Sequence, residues 1–465
     1  MSDSAIALPT KRFFVSMLTR DITLSDAILD LVDNCLDGAL RVSNGAEVDY
    51  SKHMIAISCD QDRFRIEDDC GGIPREIAIN YAFKMGREPD DNRDMTTETI
   101  GMYGVGMKRA IFKMGRDAIV KTRYDGDSFS VPISSEWLEL KEWAPLPILD
   151  DTGSDALAAT GTIIEVKKLY AGVSRHFTQG PFINDLKASL GEHFTFFLQR
   201  GLKMTLNGEE IQPVRVEVLV SSKVDGPAPY VFRKKIEGVL VTIVVGMNTG
   251  RSPDDEGESG FEYDRSATTA GWSIFCNDRA VIVGDKGRLT GWGDGIPLYH
   301  AQFSVISGIV EFRSTSAEKL PVTTTKRALD TSSGVWLETR AKMREAMRVW
   351  INHTNAWKNH PRTDQASVWE DSRPMQLKEA AESVLTRNPT QKQDGGLEFD
   401  PKRKGVLPEP PTKRASSRRI VFSRPIEEVR EVSRALFDRD DEKPGVVGDQ
   451  CFSVVLAKVR SEVGE

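Results

Sequence analysis

The chain has 465 residues, of which 39% are apolar and 28% are charged, and its formal net charge at pH 7 is -7. This length predicts about two to four domains, and this composition excludes a chain that is disordered throughout. The acidic balance excludes a broadly basic protein, although a local basic patch can still bind nucleic acid. The sequence has no run of the roughly 20 apolar residues that span a bilayer, and its N-terminus lacks the apolar core of a signal peptide. We therefore expect a cytoplasmic protein without a membrane partner.

The five cysteines are an odd number, lie far apart and form no CxxC pair. Zinc sites and redox-active dithiols are commonly built on such pairs. We therefore expect reduced thiols that are mostly buried.

The first strong pattern is an amphipathic helix over residues 21–40, with Ser25 and Asp26 as candidate caps at its start. The face opposite its apolar stripe carries four short polar side chains: Asp30, Asp33, Asn34 and Asp37. A solvated face is one explanation, but exposed helices favour longer polar residues such as Lys and Glu. Clustered carboxylate and amide oxygens instead suit a hydrated Mg²⁺ ion, for which phosphates supply further ligands.

A hairpin with a glycine-bearing loop follows this helix. The segments MIAIS and RFRIE predict two short strands, and the loop DDCGGIP comes directly after them. An ordinary turn of Asp and Gly between a strand and a helix is the alternative to a binding loop.

A glycine-rich segment, IGMYGVGMKRA, then opens an apolar helix. Glycines let backbone N–H groups approach phosphate oxygens, and a helix N-terminus adds the positive end of its dipole. Lys108 would add a point charge. The segment lacks the GxxxxGK[ST] pattern of a P-loop and does not follow a strand directly as a Rossmann turn does.

These elements resemble the motifs of the GHKL ATPases, the superfamily of gyrase B subunits, ATP-dependent heat-shock chaperones, sensor histidine kinases and MutL proteins. DLVDNCLDGA is similar to the N-box of this superfamily, and Asn34 matches its Mg²⁺-binding asparagine. Asp30 stands where the family has the glutamate that activates the attacking water, and Asp37 follows at the expected spacing. The resemblance implies binding of ATP and Mg²⁺. Because aspartate is one methylene shorter than glutamate, it also implies slow hydrolysis.

The loop IEDDCGGIP is similar to the second motif of the family, in which an aspartate accepts the adenine amino group. The resemblance gives this role to Asp68 and places Gly72 and Ile73 in the nucleotide site. Cys70 stands where the first motif glycine is expected. If that position needs a positive φ, cysteine is strained there, and Gly71 relieves the turn instead.

The glycine-rich segment is similar to the third motif. This match assigns six residues to nucleotide binding: Gly101, Gly104, Val105, Gly106, Met107 and Lys108. Residues 85–100 then match the lid that closes over bound nucleotide. Thr162 in GTIIEV matches a threonine that the family places close to the adenine-binding aspartate, although a Gly-Thr pair before a strand is common.

The resemblance implies an α+β fold: a GHKL (Bergerat) α/β sandwich ATPase domain followed by an α+β transducer-like domain of ribosomal-S5-like type. We expect five segments: the ATPase domain over 1–175, the transducer-like domain over 176–335, a helical extension over 336–387, a basic Pro/Gly-rich linker over 388–419 and a small C-terminal module over 420–465. Residues 248–268 are polar and acidic, and we expect them to form an insertion in the second domain.

The second domain distinguishes between possible functions. A histidine kinase needs a phosphoacceptor histidine before the N-box, whereas the first of the six histidines here is His53. In transducer domains a loop lysine reaches the γ-phosphate, and Lys326 in LPVTTTKRALD is the candidate, with a surface lysine as the alternative. Together with FCNDRAVI, the motifs look most similar to prokaryotic MORC-like ATPases. This implies an ATP-dependent homodimer that acts as a nucleotide-gated clamp.

A basic run at residues 401–419 suits the phosphate backbone of DNA. Solubilising linkers are also often basic, so the sequence leaves other functions open. These are a chaperone-like or scaffolding ATPase with a protein client, and an ATP-binding module with little turnover.

Overall fold

The computed structural model describes residues 10–87, 97–101, 104–153, 156–248, 270–323, 325–358, 360, 368–410 and 420–463. The chain divides into two compact units, Met1–Pro410 and Pro411–Glu465. Within the described ranges, no helix combines the length and the apolar character that a membrane crossing requires. All five cysteines are free, and four of them are buried, as expected.

The first sheet of the larger unit has eight strands in the order β5-β4-β3-β6-β2-β1-β7-β8. Its strands are β1 (Met54–Cys59), β2 (Arg63–Asp68), β3 (Gly115–Tyr124), β4 (Asp127–Ile133), β5 (Leu149–Asp150), β6 (Gly161–Leu169), β7 (Lys203–Leu206) and β8 (Glu209–Glu210). β1 and β2 form the predicted antiparallel hairpin, and β2 also pairs antiparallel with β6.

The helices of this first part pack their apolar residues into one core with the sheet. They are α1 (Lys11–Arg20), α2 (Leu24–Val42), α3 (Arg75–Ile77), α4 (Gly106–Met114), α5 (Ser135–Glu139), α6 (Ala171–Phe177), α7 (Gly180–His193) and α8 (Thr195–Gln199). α2 is the predicted first helix, and its apolar stripe is buried. Its N-cap is Thr23, whose side chain accepts from the Asp26 backbone N–H, so the expectation of Ser25 or Asp26 as caps is corrected.

A second sheet has seven strands in the order β13-β12-β14-β11-β10-β17-β16, and β15 and β9 pair separately. The strands are β9 (Glu217–Ser221), β10 (Tyr230–Ile236), β11 (Val239–Met247), β12 (Gly271–Cys276), β13 (Arg279–Asp285), β14 (Ile306–Arg313), β15 (Ser372–Gln376), β16 (Thr390–Gln391) and β17 (Leu397–Phe399). Two helices pack against it: α9 (Gly334–Trp357) and α10 (Leu377–Leu385). Trp272, Trp336 and Trp350 are fully buried between α9 and the sheet.

Three segments differ from what their sequence indicated. Ser372–Gln376 forms β15, which pairs with β9, inside the segment 336–387 that we expected to be a helical extension. β7 and β8 extend the first sheet, since β7 pairs in parallel with β1, whereas we expected the first domain to end at residue 175. Thr390–Gln391 and Leu397–Phe399 add strands to the second sheet, whereas we expected a linker from residue 388. Phe399 is 1% exposed, so its burial provides the apolar contact that fixes this short strand. The expected insertion at 248–268 lies almost entirely outside the described residues.

The smaller unit contains two helices, α11 (Ile426–Phe437) and α12 (Pro444–Val463). α11 is the helix that the sequence indicated, and it ends at Asp438 in a left-handed conformation with φ 56°. Residues 420–423 are exposed and form no regular element.

Candidate functional site

A cavity of about 390 Å³ lies between α2, the β2–α3 loop and the start of α4. This volume is in the range of about 300–1,000 Å³ that is typical of small-molecule sites. Every residue that the family motifs assigned to nucleotide binding lines this cavity, whereas Asp33 of the polar α2 face does not: the lining includes Asp30, Asn34, Asp37, Asp68, Gly72, Ile73, Gly101, Gly104, Val105, Gly106, Met107, Lys108, Thr162 and Lys326. The fold thus brings together motifs that are far apart in the chain. Most of the lid, residues 88–96, lies outside the described residues.

Asp68 and Thr162 lie next to each other at one end of the cavity. They are Cα partners in the antiparallel register of β2 and β6, which explains why both motifs reach one place. Asp68 Oδ1 accepts a hydrogen bond of 2.8 Å from the Cys70 backbone nitrogen. Burial raises the pKa of Asp68 to about 6, although this hydrogen bond opposes the shift. The carboxylate is therefore an acceptor in an apolar setting, as recognition of an amino group requires.

Gly71 and Gly72 supply the turn after Asp68, with φ values of 121° and 71°. A Cβ atom on Gly72 would lie 2.1 Å from the backbone oxygen of Arg123, so only glycine fits there. Cys70 is buried and is absent from the residues with positive φ. Cysteine at this position is therefore unstrained, and the two following glycines make the turn.

Thr122 on β3 supports this loop, a role that its local sequence does not indicate. Its hydroxyl accepts from the Ile73 backbone nitrogen at 2.7 Å and donates to the Gly161 backbone oxygen at 3.1 Å. It also lies 3.3 Å from the hydroxyl of Thr162, its partner in the β3–β6 register. Only the sheet register reveals this role, because nothing in the local sequence distinguishes Thr122 from other strand threonines.

The other end of the cavity is built by the glycine-rich segment. Gly104 has a φ of 62°, and α4 begins at Gly106 after Val105, whose side chain offers no capping oxygen. The first-turn N–H groups of a helix without a capping side chain are suited to bind an anion. Lys108 Nζ donates to the backbone oxygens of Ala82, at 2.9 Å, and Gly104. The lysine thus supports the glycine-rich loop through these two hydrogen bonds and adds positive charge next to the loop.

Asp30 lies on the α2 face towards the cavity and is 3% exposed. One carboxylate oxygen pairs with the guanidinium of Arg109, and the other lies 3.5 Å from Lys326 Nζ. Arg109 lies within the third motif, but its local sequence does not indicate this pairing. Two cations hold this carboxylate in place, so it is oriented as well as buried.

Asn34 and Asp37 differ in how their side chains are used. Asp37 accepts hydrogen bonds from the backbone nitrogens of Ile100 and Gly101, at 2.7 and 2.8 Å, and so fixes the end of the lid. Asn34 Nδ2 is buried and finds no hydrogen-bond partner among the described residues. A buried polar atom that lacks a partner fits a site completed by a ligand. Because an amide also carries an oxygen that suits Mg²⁺, the donor set fits Mg²⁺ with a phosphate.

Lys326 lies in the loop between β14 and α9, in the part of the larger unit that holds the second sheet, and has a φ of 56°. Its Nζ lies 2.8 Å from Asp33 Oδ2. The other oxygen of Asp33 accepts from Arg279 Nε at 2.9 Å. Burial opposes the charge on Lys326, but the carboxylates of Asp33 and Asp30 outweigh it and raise its pKa. Lys326 is thus a largely buried, charged residue, with its side chain 11% exposed, that joins the second-sheet part of the larger unit to α2 at the cavity.

The four short polar residues of α2 therefore do not form one cation site. Asp30, Asp33 and Asp37 all have partners within the protein, whereas Asn34 remains available to a ligand. The partners of Asp33, Arg279 and Lys326, are distant in sequence and could not be identified from the local sequence.

Comparison with known proteins agrees with this geometry. Residues 22–155 match the family model of histidine kinase-, DNA gyrase B- and HSP90-like ATPases, which is the GHKL superfamily. The matched segment lies in the first third of the chain and contains the N-box, the adenine loop and the glycine-rich segment. The match implies ATP binding by this part of the chain. A search of curated proteins finds no match.

Proposed function

We propose that this protein is a Mg-ATP-dependent ATPase that works as a nucleotide-gated, dimerising clamp on DNA. The observation that carries the proposal is that Lys326, from the second domain, lines the same cavity as the three ATP-binding motifs. A lysine in this place can transmit the presence of a γ-phosphate to the rest of the chain. A nucleotide pocket without such a lysine would lack this connection between the γ-phosphate and the rest of the chain.

In this proposal each end of the cavity holds one end of ATP. Asp68 accepts the adenine amino group, and Thr162 lies beside it in the sheet register. The N-terminus of α4 and the Gly104 turn hold the phosphates through backbone N–H groups. Asn34 holds Mg²⁺, which neutralises phosphate charge when it is bound.

Asp30 is the proposed general base. The Arg109 guanidinium fixes the direction of its carboxylate, which we propose accepts a proton from water near the γ-phosphate. The same ion pairs compete with this water for the carboxylate oxygens. Together with the short side chain, this competition accounts for the slow turnover that we propose.

Gating follows from the position of Lys326. When ATP is present, Lys326 binds the γ-phosphate and fixes the second domain on the first; after hydrolysis this contact is lost. The exposed α1 residues Phe13 and Met17, which are 58% and 43% exposed, supply apolar surface for a second copy of the chain. Size-exclusion chromatography with ATP, ADP and a non-hydrolysable ATP analogue tests this step. We expect a dimer with the non-hydrolysable analogue but not with ADP. An elution volume that is the same with every nucleotide would contradict the clamp.

Two substitutions test the site itself. Asn34→Ala should abolish Mg²⁺-dependent nucleotide binding, because no other side chain on α2 is free to take its role among those described. Asp30→Asn should retain binding and lose phosphate release. Unchanged hydrolysis in both variants would refute the assignment.

The proposed DNA contact rests on the basic run at 401–419. Lys402, Arg403 and Lys404 belong to the described residues, and Arg403 already lies 3.2 Å from Asp400. The basic residues of 411–419 lie outside the described residues. Retention on DNA that falls steeply between low and high salt, and only with the ATP analogue, supports the clamp on DNA. Retention that is independent of salt and nucleotide favours a protein client.

A second candidate function is an ATP-binding module with little turnover. The observation that favours it is the pairing of Asp30 with both Arg109 and Lys326, which leaves the carboxylate few free lone pairs. Single-turnover phosphate release distinguishes the two. Nucleotide-dependent dimerisation without phosphate release would select the second candidate.

A further inference from the structure

Asp33 is the most enclosed acidic residue beside the cavity. It is 0% exposed and is not among the residues that line the cavity, although Lys326, which it binds, is. The ammonium group of Lys326 is thus bound to a carboxylate in the cavity wall. A phosphate bound inside the cavity competes with Asp33 for this ammonium group, and strong binding to the phosphate draws Lys326 away from Asp33.

Arg279 makes such a departure feasible. Its Nε lies 2.9 Å from Asp33 Oδ1, its Nη1 donates to the Ala280 backbone oxygen at 2.6 Å, and its guanidinium carbon lies 4.5 Å from the Phe194 ring centroid. Arg279 is 2% exposed, so these contacts hold it independently of Lys326. Asp33 therefore keeps one cationic partner when the lysine moves. Without it, a fully buried carboxylate would be left uncompensated, which is strongly unfavourable.

The loop that carries Lys326 is anchored on both sides of this residue. Thr323 and Ala328 are joined by a backbone hydrogen bond of 2.9 Å, and Lys326 N donates to Thr323 O at 2.9 Å. The guanidinium of the neighbouring Arg327 pairs with Asp26 on the first turn of α2. The lysine side chain, with its four methylenes, is accordingly the part that can change partner while the loop stays in place.

We propose that Asp33 and Arg279 set the preference of this site for ATP over ADP. This inference rests on the proposed function, in which Lys326 binds the γ-phosphate. Asp33 is the partner of Lys326 when no γ-phosphate is present. The strength of Asp33 as an acceptor therefore determines how much binding free energy ATP gains when its γ-phosphate attracts the lysine. ADP has no γ-phosphate and leaves the lysine on Asp33. Arg279 has the opposite effect, because it stabilises Asp33 after the lysine has left.

The two residues of this one ion pair therefore predict changes of opposite sign. Asp33→Asn weakens the competing acceptor and should increase the ratio of ADP to ATP-analogue dissociation constants by about tenfold. Arg279→Gln leaves Asp33 dependent on Lys326 and should decrease the same ratio by about tenfold. Arg279→Lys retains the charge and should restore most of the preference. A pair that serves only to hold the domains together would shift both ratios in the same direction or leave them unchanged.

Isothermal titration of the full-length protein with ADP and with the non-hydrolysable analogue measures these ratios. In a Lys326→Gln background, Asp33→Asn should have no further effect on the ratio. Asp60→Asn removes one negative charge from the β1–β2 turn, where Asp60 binds the Asp62 and Arg63 backbone nitrogens, and its ratio should stay near that of the wild type. An equal rise with Asp60→Asn, or a rise that persists in the Lys326→Gln background, would overturn the inference.

The outcomes also distinguish this inference from the proposed function. If the wild type binds neither nucleotide, the proposed function fails. If both nucleotides bind and Lys326→Gln removes the preference for the analogue, the proposed contact stands. In that case, a role of Asp33 and Arg279 in setting the nucleotide preference is excluded only if their variants do not shift the ratio of dissociation constants in opposite directions. Thermal unfolding of each variant shows whether it is folded. If Arg279→Gln is not folded, the Arg279→Lys protein still tests the role of Arg279.

Discussion

The hydroxyl oxygen of Thr122 lies 2.7 Å from the backbone nitrogen of Ile73, so a strand at the centre of the sheet holds the loop that bears Asp68. The same hydroxyl donates to Gly161 O, at the start of the strand that carries Thr162. One buried side chain thus fixes the two segments that form the proposed adenine end of the cavity.

Thr122→Val should therefore loosen this end of the site. The substitution keeps the shape but leaves the Ile73 N–H without its acceptor, which costs about 1 to 3 kcal/mol of unfolding free energy. ADP affinity should fall as well, since the loop loses its support. Urea unfolding and titration with ADP measure the two effects. Thr122→Ser retains the hydroxyl and serves as the control; equal losses in both variants would show that the methyl group, not the hydrogen bond, matters.

Gly72→Ala should be far more harmful than an alanine at another glycine with positive φ. Gly72 has a φ of 71°, and its added Cβ would lie 2.1 Å from Arg123 O. Gly126 has a φ of 82°, but a Cβ there meets no atom within 4 Å. Gly126→Ala should cost about 1 kcal/mol through backbone strain alone. Gly72→Ala should cost more and should also abolish ADP binding; similar melting temperatures for the two variants would contradict the close packing.

The raised pKa of Asp68 predicts a pH dependence of stability. Burial raises this pKa from 3.8 to about 6, so the folded protein binds the proton more tightly than the unfolded chain does. The contribution of the group is complete below its unfolded pKa and is lost as the pH rises through about 6. Asp68→Asn should therefore increase the melting temperature relative to wild type at pH 8, and this difference should disappear towards pH 4.

Asp60 offers a control of opposite sign for this experiment. Hydrogen bonds from the Asp62 and Arg63 backbone nitrogens, at 2.8 and 3.0 Å, lower the pKa of Asp60. Its contribution is present above the unfolded pKa and is lost as the pH falls through the folded one. Asp60→Asn should lower the melting temperature at pH 8 and not at low pH.

ADP affinity of the wild type should also fall from pH 7 to pH 5, as the Asp68 acceptor is protonated.

Asn277 links the second sheet to the end of the predicted lid segment. Its Nδ2 donates to the backbone oxygens of Thr99 and Ser314, both at 2.9 Å. Asn277→Asp places an oxygen against these two carbonyls, so it should release the end of the lid. Hydrogen exchange at Ile100 and Gly101, measured by mass spectrometry, should become faster.

Asn207 provides the matched control for that substitution, because it has a φ of 51° and also lies in a turn. Its side-chain oxygen accepts from the Cys59 backbone nitrogen at 2.8 Å, and an aspartate retains this acceptor. Asn207→Asp should leave exchange at Ile100 and Gly101 unchanged. If Asn277→Asp also leaves this exchange unchanged, the second sheet does not hold the predicted lid segment through Asn277.

The local sequence determined those features that depend on short-range patterns. The period of α2, the β1–β2 hairpin and the helix after the glycine-rich segment all follow from the spacing of apolar residues and glycines, and the structure has each of them. The residues assigned to the cavity also line it, because each motif carries its chemistry within a few consecutive residues.

Tertiary structure decided which groups those residues meet. Asp33 and Arg279, or Ile73 and Thr122, are joined only by the fold, since sheet register and domain packing involve residues that are distant in sequence. For the same reason the sequence predicts a linker where Leu397–Phe399 forms a strand: three residues carry too little periodicity to indicate a strand, and burial against β10 supplies its stability. The aspartates of α2 looked like ligands for one cation because periodicity places them on one face, whereas the opposing cations that pair with two of them, and the lid amides that Asp37 binds, come from other parts of the fold.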